Sequence, residues 1–199
     1  MLWKKCLKDK VGAFEGNTVI GKTMILRALL FFSLLVSGVA QAYDFADGSI
    51  NVPDGFEGPF TQAMGQGASS TAFKFPHGKA GASTLLQITT WDSGQIFPEM
   101  SIDELKKGSK NYLLQFLSGI EKRRENFKHG QIEFIEISAQ PTAKISWSGD
   151  AQGENLHGIM YCLIFNSKVY SFHTQDFVSF NEKYTRMAVN AFESIKLNK

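Results

Sequence analysis

HGIMYCLIFNSKVYSFHT, running from His157 to Thr174, sets the centre of the fold. Between Ile159 and Phe165 apolar side chains occupy both parities, so a strand here is covered on both faces and sits inside a sheet. Asn166-Ser167 interrupts the run, and Val169 to Thr174 reads as the next strand. Upstream, strands are expected at Gln131 to Ser138 and Ala143 to Ser148, again separated by short breaks. Such links leave no room for crossover helices, so the four strands are antiparallel neighbours. In Ala143-Lys144-Ile145-Ser146-Trp147 apolar and polar residues alternate, which puts that strand nearer an edge or a wet face.

Two helices flank this block. Ser101-Ile102-Asp103-Glu104 is a capping-box pattern, in which the serine accepts from first-turn amides and the glutamate reaches back. The helix it opens is expected to bend or break around Gly108-Ser109 and to continue towards Phe127. Tyr112, Leu113, Phe116, Leu117 and Ile120 share one face of it. Ser179-Phe180-Asn181-Glu182 repeats the cap, and Phe180, Tyr184, Met187, Ala191 and Ile195 recur at helical spacing. Earlier in the chain, short strands are expected near Ser49 to Val52, Phe60 to Met64 and Thr71 to Phe75, then a longer one from Ser83 to Trp91. Phe75 and Leu86 are expected in one core. The order gives an α+β fold, a mainly antiparallel sheet with helices packed on it.

The N-terminal part has a different character. Lys22 and Arg27 form a basic n-region, Ala28 to Ala40 is a nearly unbroken apolar run of 13 residues, and Ala40-Gln41-Ala42 is a small-x-small cleavage site. The run is shorter than the roughly 20 residues of a spanning helix. Export and cleavage between Ala42 and Tyr43 are therefore expected, with no membrane anchor left afterwards and a periplasmic or secreted destination. Residues 24–42 are the signal peptide, residues 1–23 a gene-model extension or a long n-region, and residues 43–199 one α+β domain. Gly16 to Thr23 matches G-x-x-x-x-G-K-[ST], but no apolar strand precedes it and the h-region follows it, so the phosphate-cradling context is missing.

The leader carries six of the 21 Lys and Arg and two of the 19 Asp and Glu, so residues 43–199 hold 15 against 17 and a formal charge of −2. That removes any compositional argument for a nucleic-acid partner. Lys122-Arg123-Arg124 with Lys128 is the one dense basic cluster, and it reads as helix-end charge complementing the dipole. Cys162 is the single cysteine after residue 42 and is expected to be buried and inert.

The strand arrangement, the doubly apolar Met160 to Phe165 followed by Lys168-Val169-Tyr170-Ser171-Phe172, and the closing Phe192-Glu193-Ser194-Ile195-Lys196 resemble the PsbP-like α/β/α-sandwich superfamily over most of residues 45–197. The resemblance implies a three-layer fold and a protein that binds or stabilises partners, and it carries no site residue with it.

Site chemistry is sparse. His77, His129, His157 and His173 show no metal-ligand spacing, and no cofactor or metal is expected. Trp91, Phe97 and Trp147 are the candidate partner-binding aromatics, the first two flanking a strand-to-helix loop. The expected function is a non-catalytic envelope protein binding a partner protein or small ligand through the sheet edge or the Trp91 to Pro98 loop. The alternatives are a hydrolase whose site gathers His77, His173 and Asp176, and a purely structural accessory protein.

Overall fold

The structure is a computed structural model and describes residues 41–78, 81–151, 153–180 and 182–198. The apolar leader, the Gly16 to Thr23 motif and the extension at residues 1–23 lie outside the described residues. Ala42 and Tyr43 fall in β1 (Gln41–Phe45), which pairs with β2 (Gly48–Val52).

From β3 (Glu57–Gly65), β4 (Ala68–Pro76) and β5 (Ser83–Asp92) the chain passes through α1 (Ile102–Glu121) into β6 (Glu125–His129). The expected meander follows as β7 (Glu133–Ile137), β8 (Gln140–Ala151), β9 (Glu154–Phe165) and β10 (Lys168–Phe177), all antiparallel. Ser138-Ala139 and Asn166-Ser167 both take left-handed pairs, φ 49 and 61° and 47 and 60°, the two-residue loops whose twist matches the strands they join. α2 (Glu182–Glu193) and β11 (Lys196–Leu197) close the chain. The large sheet runs β3-β4-β5-β10-β9-β8-β6, with β7 sharing the β8 edge with β6, and a small sheet runs β1-β2-β11.

Each face of the large sheet carries its own core. On one, Leu113 and Leu117 of α1 pack on Ala143, Ile145, Met160, Cys162, Ile164 and Val169. On the other, Ala188, Ala191 and Phe192 of α2 pack with Ile50, Leu86, Tyr161, Leu163 and Phe172. The fold is therefore α+β, a mainly antiparallel sheet between two helical layers. β9 is interior and buried on both parities, as its sequence requires. Ser146 and Ser148 of β8 are exposed between buried Ile145, Trp147 and Gly149, the wet face that the alternation predicts.

Several boundaries differ from the expectation. Gly108-Ser109 does not bend α1: a Cβ at Gly108 would lie 2.6 Å from Ile164 Cδ1, so this glycine lets the helix lie close on the sheet. Ser109 is buried and donates to the Lys106 carbonyl at 3.1 Å. The Ser101 capping box is present, with both reciprocal bonds formed. The helix stops at Glu121, and Glu125 to Phe127, read as its end, belong instead to the edge strand β6. In α2, which begins at Glu182, Ala191 and then Ile195 just past its end are buried as expected, whereas Tyr184 and Met187 are half-buried and Thr185, Ala188 and Phe192 complete the buried face, small side chains letting the helix approach the sheet. Phe73, opposite Leu86, enters the core that Phe75 was expected to share.

Two contacts lock the layers. Asp47, in the β1–β2 turn, accepts from Tyr170 Oη, from Lys168 Nζ at 2.9 Å and from Asn166 Nδ2 at 3.4 Å, tying the small sheet to the β9–β10 turn. Burial alone would raise the Asp47 carboxyl, but the bonds from Tyr170, Lys168 and Asn166 outweigh it and hold it below the ordinary carboxylate range. On the opposite face the Trp147 indole lies over Gly158, its cross-strand partner, where a Cβ would come within 2.5 Å of the ring. Gly158→Ala is expected to destabilise by about 1–3 kcal/mol through overpacking. Combining it with Trp147→Leu should recover part of that loss, whereas additive losses in urea denaturation would contradict the contact.

Candidate functional site

The candidate site is a cleft of about 330 Å³ on the α1 face. α1 lies chiefly over β8 and β9, reaches β10 and β5 at Val169 and Trp91, and leaves the middle of those two strands beside it as a floor. Phe116, Gly119 and Ile120 of α1 form one wall and Met64 of β3 the other, while Arg123 and Arg124 stand where the chain leaves the helix. The floor is a polar block on adjoining strands. Gln87 and Thr89 of β5 pair across from His173 and Ser171 of β10, with Leu85 opposite Gln175.

Two floor and rim groups are unusual. His173 is 9% exposed, its Nε2 has no hydrogen-bond partner, and its ring lies 5.7 Å from that of Trp147. Burial first, and the Arg124 charge second, push its pKa down to about 3, so the imidazole is neutral at any physiological pH. Arg124 donates from Nη1 to the Arg123 carbonyl at 3.0 Å and from Nη2 to Gln175 Oε1 at 3.4 Å, and its buried Nε has no partner. Its guanidinium also lies 5.9 Å from the Trp147 ring. Unsatisfied buried polar atoms are uncommon in folded chains; of the four among the described residues, these two belong to side chains that line the cleft, while Trp147 Nε1 and Thr174 Oγ1 do not.

The aromatics singled out from the sequence are not brought together. Trp147 is 3% exposed and packs in the core under Phe127 and Arg124. Trp91 is half-buried, donates from Nε1 to the Gln66 carbonyl at 3.0 Å and leans on Tyr112. Phe97 is half-buried against the α1 core, and its amide donates to Ser167 Oγ at 2.8 Å. The free apolar group of that loop is Ile96, 94% exposed.

Nor do His77, His173 and Asp176 converge. His173 faces α1, while Asp176 lies on the opposite face, paired with His157 and not with His173. His77 and Asp176 do meet: the Thr84 hydroxyl donates to Asp176 Oδ2 at 2.5 Å, and His77 Nε2 is 2.8 Å from Thr84 Oγ1 and 3.2 Å from Asp176 Oδ2. A hydroxyl–imidazole–carboxylate relay needs the two ring nitrogens to face different partners. Here one nitrogen faces both, the hydroxyl is committed to the carboxylate, and Phe180 stacks on the imidazole at 4.1 Å. The cluster is a satisfied polar core. Cys162 is fully buried, and burial pushes its thiol well above the ordinary range, so no thiolate forms. Among the described residues no three His, Cys, Asp or Glu are grouped to hold a metal ion, and no helix is long and apolar enough to cross a membrane.

Sequence reasoning missed Arg124, Gln87, Ser171 and Gln175. The available signal was polarity at alternate positions of two strands, on a parity that is apolar elsewhere in the sheet.

No protein-family model matches the chain, and no curated protein is similar to it in sequence. A solved chain from Bacteroides thetaiotaomicron superposes on 81% of this chain with TM-score 0.51 and 10% identity. That alignment takes in 49% of the Bacteroides chain, so the present chain spans about half its length. LpqN of Mycobacterium tuberculosis, involved in cell envelope biogenesis, aligns over 80% of this chain and 90% of its own at TM-score 0.49 and 11% identity. PA94 of Pseudomonas aeruginosa, a protein of unknown function, aligns over 77% of this chain and 92% of its own at 0.44 and 14%. Identities this low concern fold alone, and of the three scores the first supports one.

The neutral His173 makes stability depend on acid. The unfolded ring titrates near 6.5 and the folded one near 3, so between these values the unfolded chain alone binds the proton. Its stabilising contribution is complete above 6.5 and declines as pH falls, by up to about 1.4 kcal/mol per unit. His173→Gln should flatten the urea midpoint between pH 6 and 4 by one proton's worth, and an unchanged slope would refute the assignment.

Proposed function

We propose that residues 43–199 form an exported, PsbP-like binding module that holds a small ligand in the α1-side cleft without acting on it chemically. The observation that carries this reading is a cleft of ligand size lined by two side chains with incomplete hydrogen bonding, His173 and Arg124. Gly119 adds support. It lies within α1, where glycine costs about 1 kcal/mol relative to alanine, yet a Cβ there would meet nothing within 4 Å. No packing contact asks for a glycine at this position, and a larger side chain would occupy the cleft. Docking of a protein partner on the loop is the second reading, and the exposed Ile96 favours it.

Native mass spectrometry on protein from an extracytoplasmic fraction tests both export and occupancy. The expected result is a chain beginning at Tyr43 that carries a small bound species. Gly119→Phe should lose that species at an unchanged melting temperature. An uncleaved chain refutes export, and a species retained by Gly119→Phe refutes binding in the cleft.

A further inference from the structure

The bonding deficit of the cleft also defines what it receives, and this step rests on the reading that the cleft holds a ligand. Arg123 and Arg124 both line it, and no Asp or Glu does. Among the described residues neither guanidinium is in an ion pair. Partial burial, then the neighbouring Arg123 charge, lower the Arg124 pKa, the mark of a cation short of compensation. Arg124 Nη1 and Nη2 each make one bond within the chain, so each keeps a second N–H for an incoming acceptor, besides the sealed and unpartnered Nε–H. Neutral His173 can offer one ring N–H from Nε2, in the tautomer that protonates it. Phe116, Ile120, Met64 and Leu85 supply apolar surface on the remaining sides.

We infer that the cleft binds a small amphipathic monocarboxylate, its carboxylate received by the free N–H groups of the Arg124 guanidinium and its hydrocarbon part lying against Phe116, Ile120 and Met64. The partly buried Arg124 guanidinium offsets one negative charge, whereas the second charge of a dianion would fall to the solvent-exposed Arg123, where an ion pair is worth little. A space of about 330 Å³ holds roughly ten non-hydrogen atoms at about 30 Å³ each. Eight-carbon ligands are therefore suitable probes.

Isothermal titration of the exported protein with octanoate, octanol and octyl phosphate tests this class. Octanoate should bind at least about tenfold more tightly than either comparator, since a charge-assisted hydrogen bond is worth that factor or more. Arg124→Gln should remove the preference for octanoate over octanol, Arg123→Gln should largely keep it, and Gly119→Phe should abolish binding of all three. Equal affinities for octanoate and octanol, or an Arg124→Gln variant that folds and keeps the preference, would overturn the anion assignment while leaving the cleft as a binding site. Tighter binding of octyl phosphate would overturn the monocarboxylate assignment. No binding of octanoate would overturn it as well, and the species carried by the native protein then decides occupancy on its own.

Discussion

The β9–β10 pair must be buried on both faces, and most of the architecture follows from that constraint. Ile159, Tyr161, Leu163 and Phe172 turn one way, and Met160, Cys162, Ile164 and Val169 the other, so a single covering layer would leave half of them in water. α2 and the small sheet supply one cover and α1 the other. A helix is about 10 Å across and strands are about 4.8 Å apart, so one helix covers roughly two strands. The sheet is seven strands wide, and α1 is spent on β8 and β9. The uncovered ground beside it is where the apolar parity of β5 and β10 gives way to Gln87, Thr89, Ser171, His173 and Gln175. The cleft is thus what remains when one helix caps a sheet wider than itself.

The two faces treat buried polarity differently, and the difference is informative. Beneath Phe180, the polar atoms of His77, Thr84 and Asp176 face one another, with the Phe177 amide donating to Asp176 Oδ1 at 2.8 Å, and the set is closed to solvent by an aromatic ring. Such a set fixes a core and needs nothing from outside. Around His173 and Arg124 the ledger stays open, in a cavity instead of a sealed layer. Residue type alone does not separate the two clusters, since both hold a histidine and a charged neighbour. Satisfaction of the hydrogen bonds does.

Much of the fold was legible in the sequence because burial is written in periodicity. The double parity of Ile159 to Phe165, the short breaks on either side and the capping box at Ser101 correspond to β9, the meander and the start of α1. What could not be read depends on close approach between distant residues. Gly108 looked like a helix break because its reason, Ile164, lies more than fifty positions away on another element. Trp147 looked like a candidate for surface contact because its seat is Gly158, a glycine that becomes meaningful once the two strands are in register. The site was less legible still. Arg124 read as dipole-complementing charge, whereas the helix has ended at Glu121 and the arginine returns over Trp147. His77 and Asp176 were rightly noticed, and their shared use of one ring nitrogen, which decides their role, is a matter of ångströms.

The tight loops at Ser138-Ala139 and Asn166-Ser167 bear on how the chain reaches this state. Pairings within the β7–β10 meander join residues close in sequence, so they close small loops and form at little entropic cost. The strand that completes the cleft floor has no such advantage. Leu86 must find Thr174 roughly ninety residues away, with α1 and the whole meander between them. A high-separation contact of this kind costs more loop-closure entropy than the hairpins of the meander. The β3–β5 half of the sheet is thus joined to the meander across a far longer loop than any the meander closes within itself.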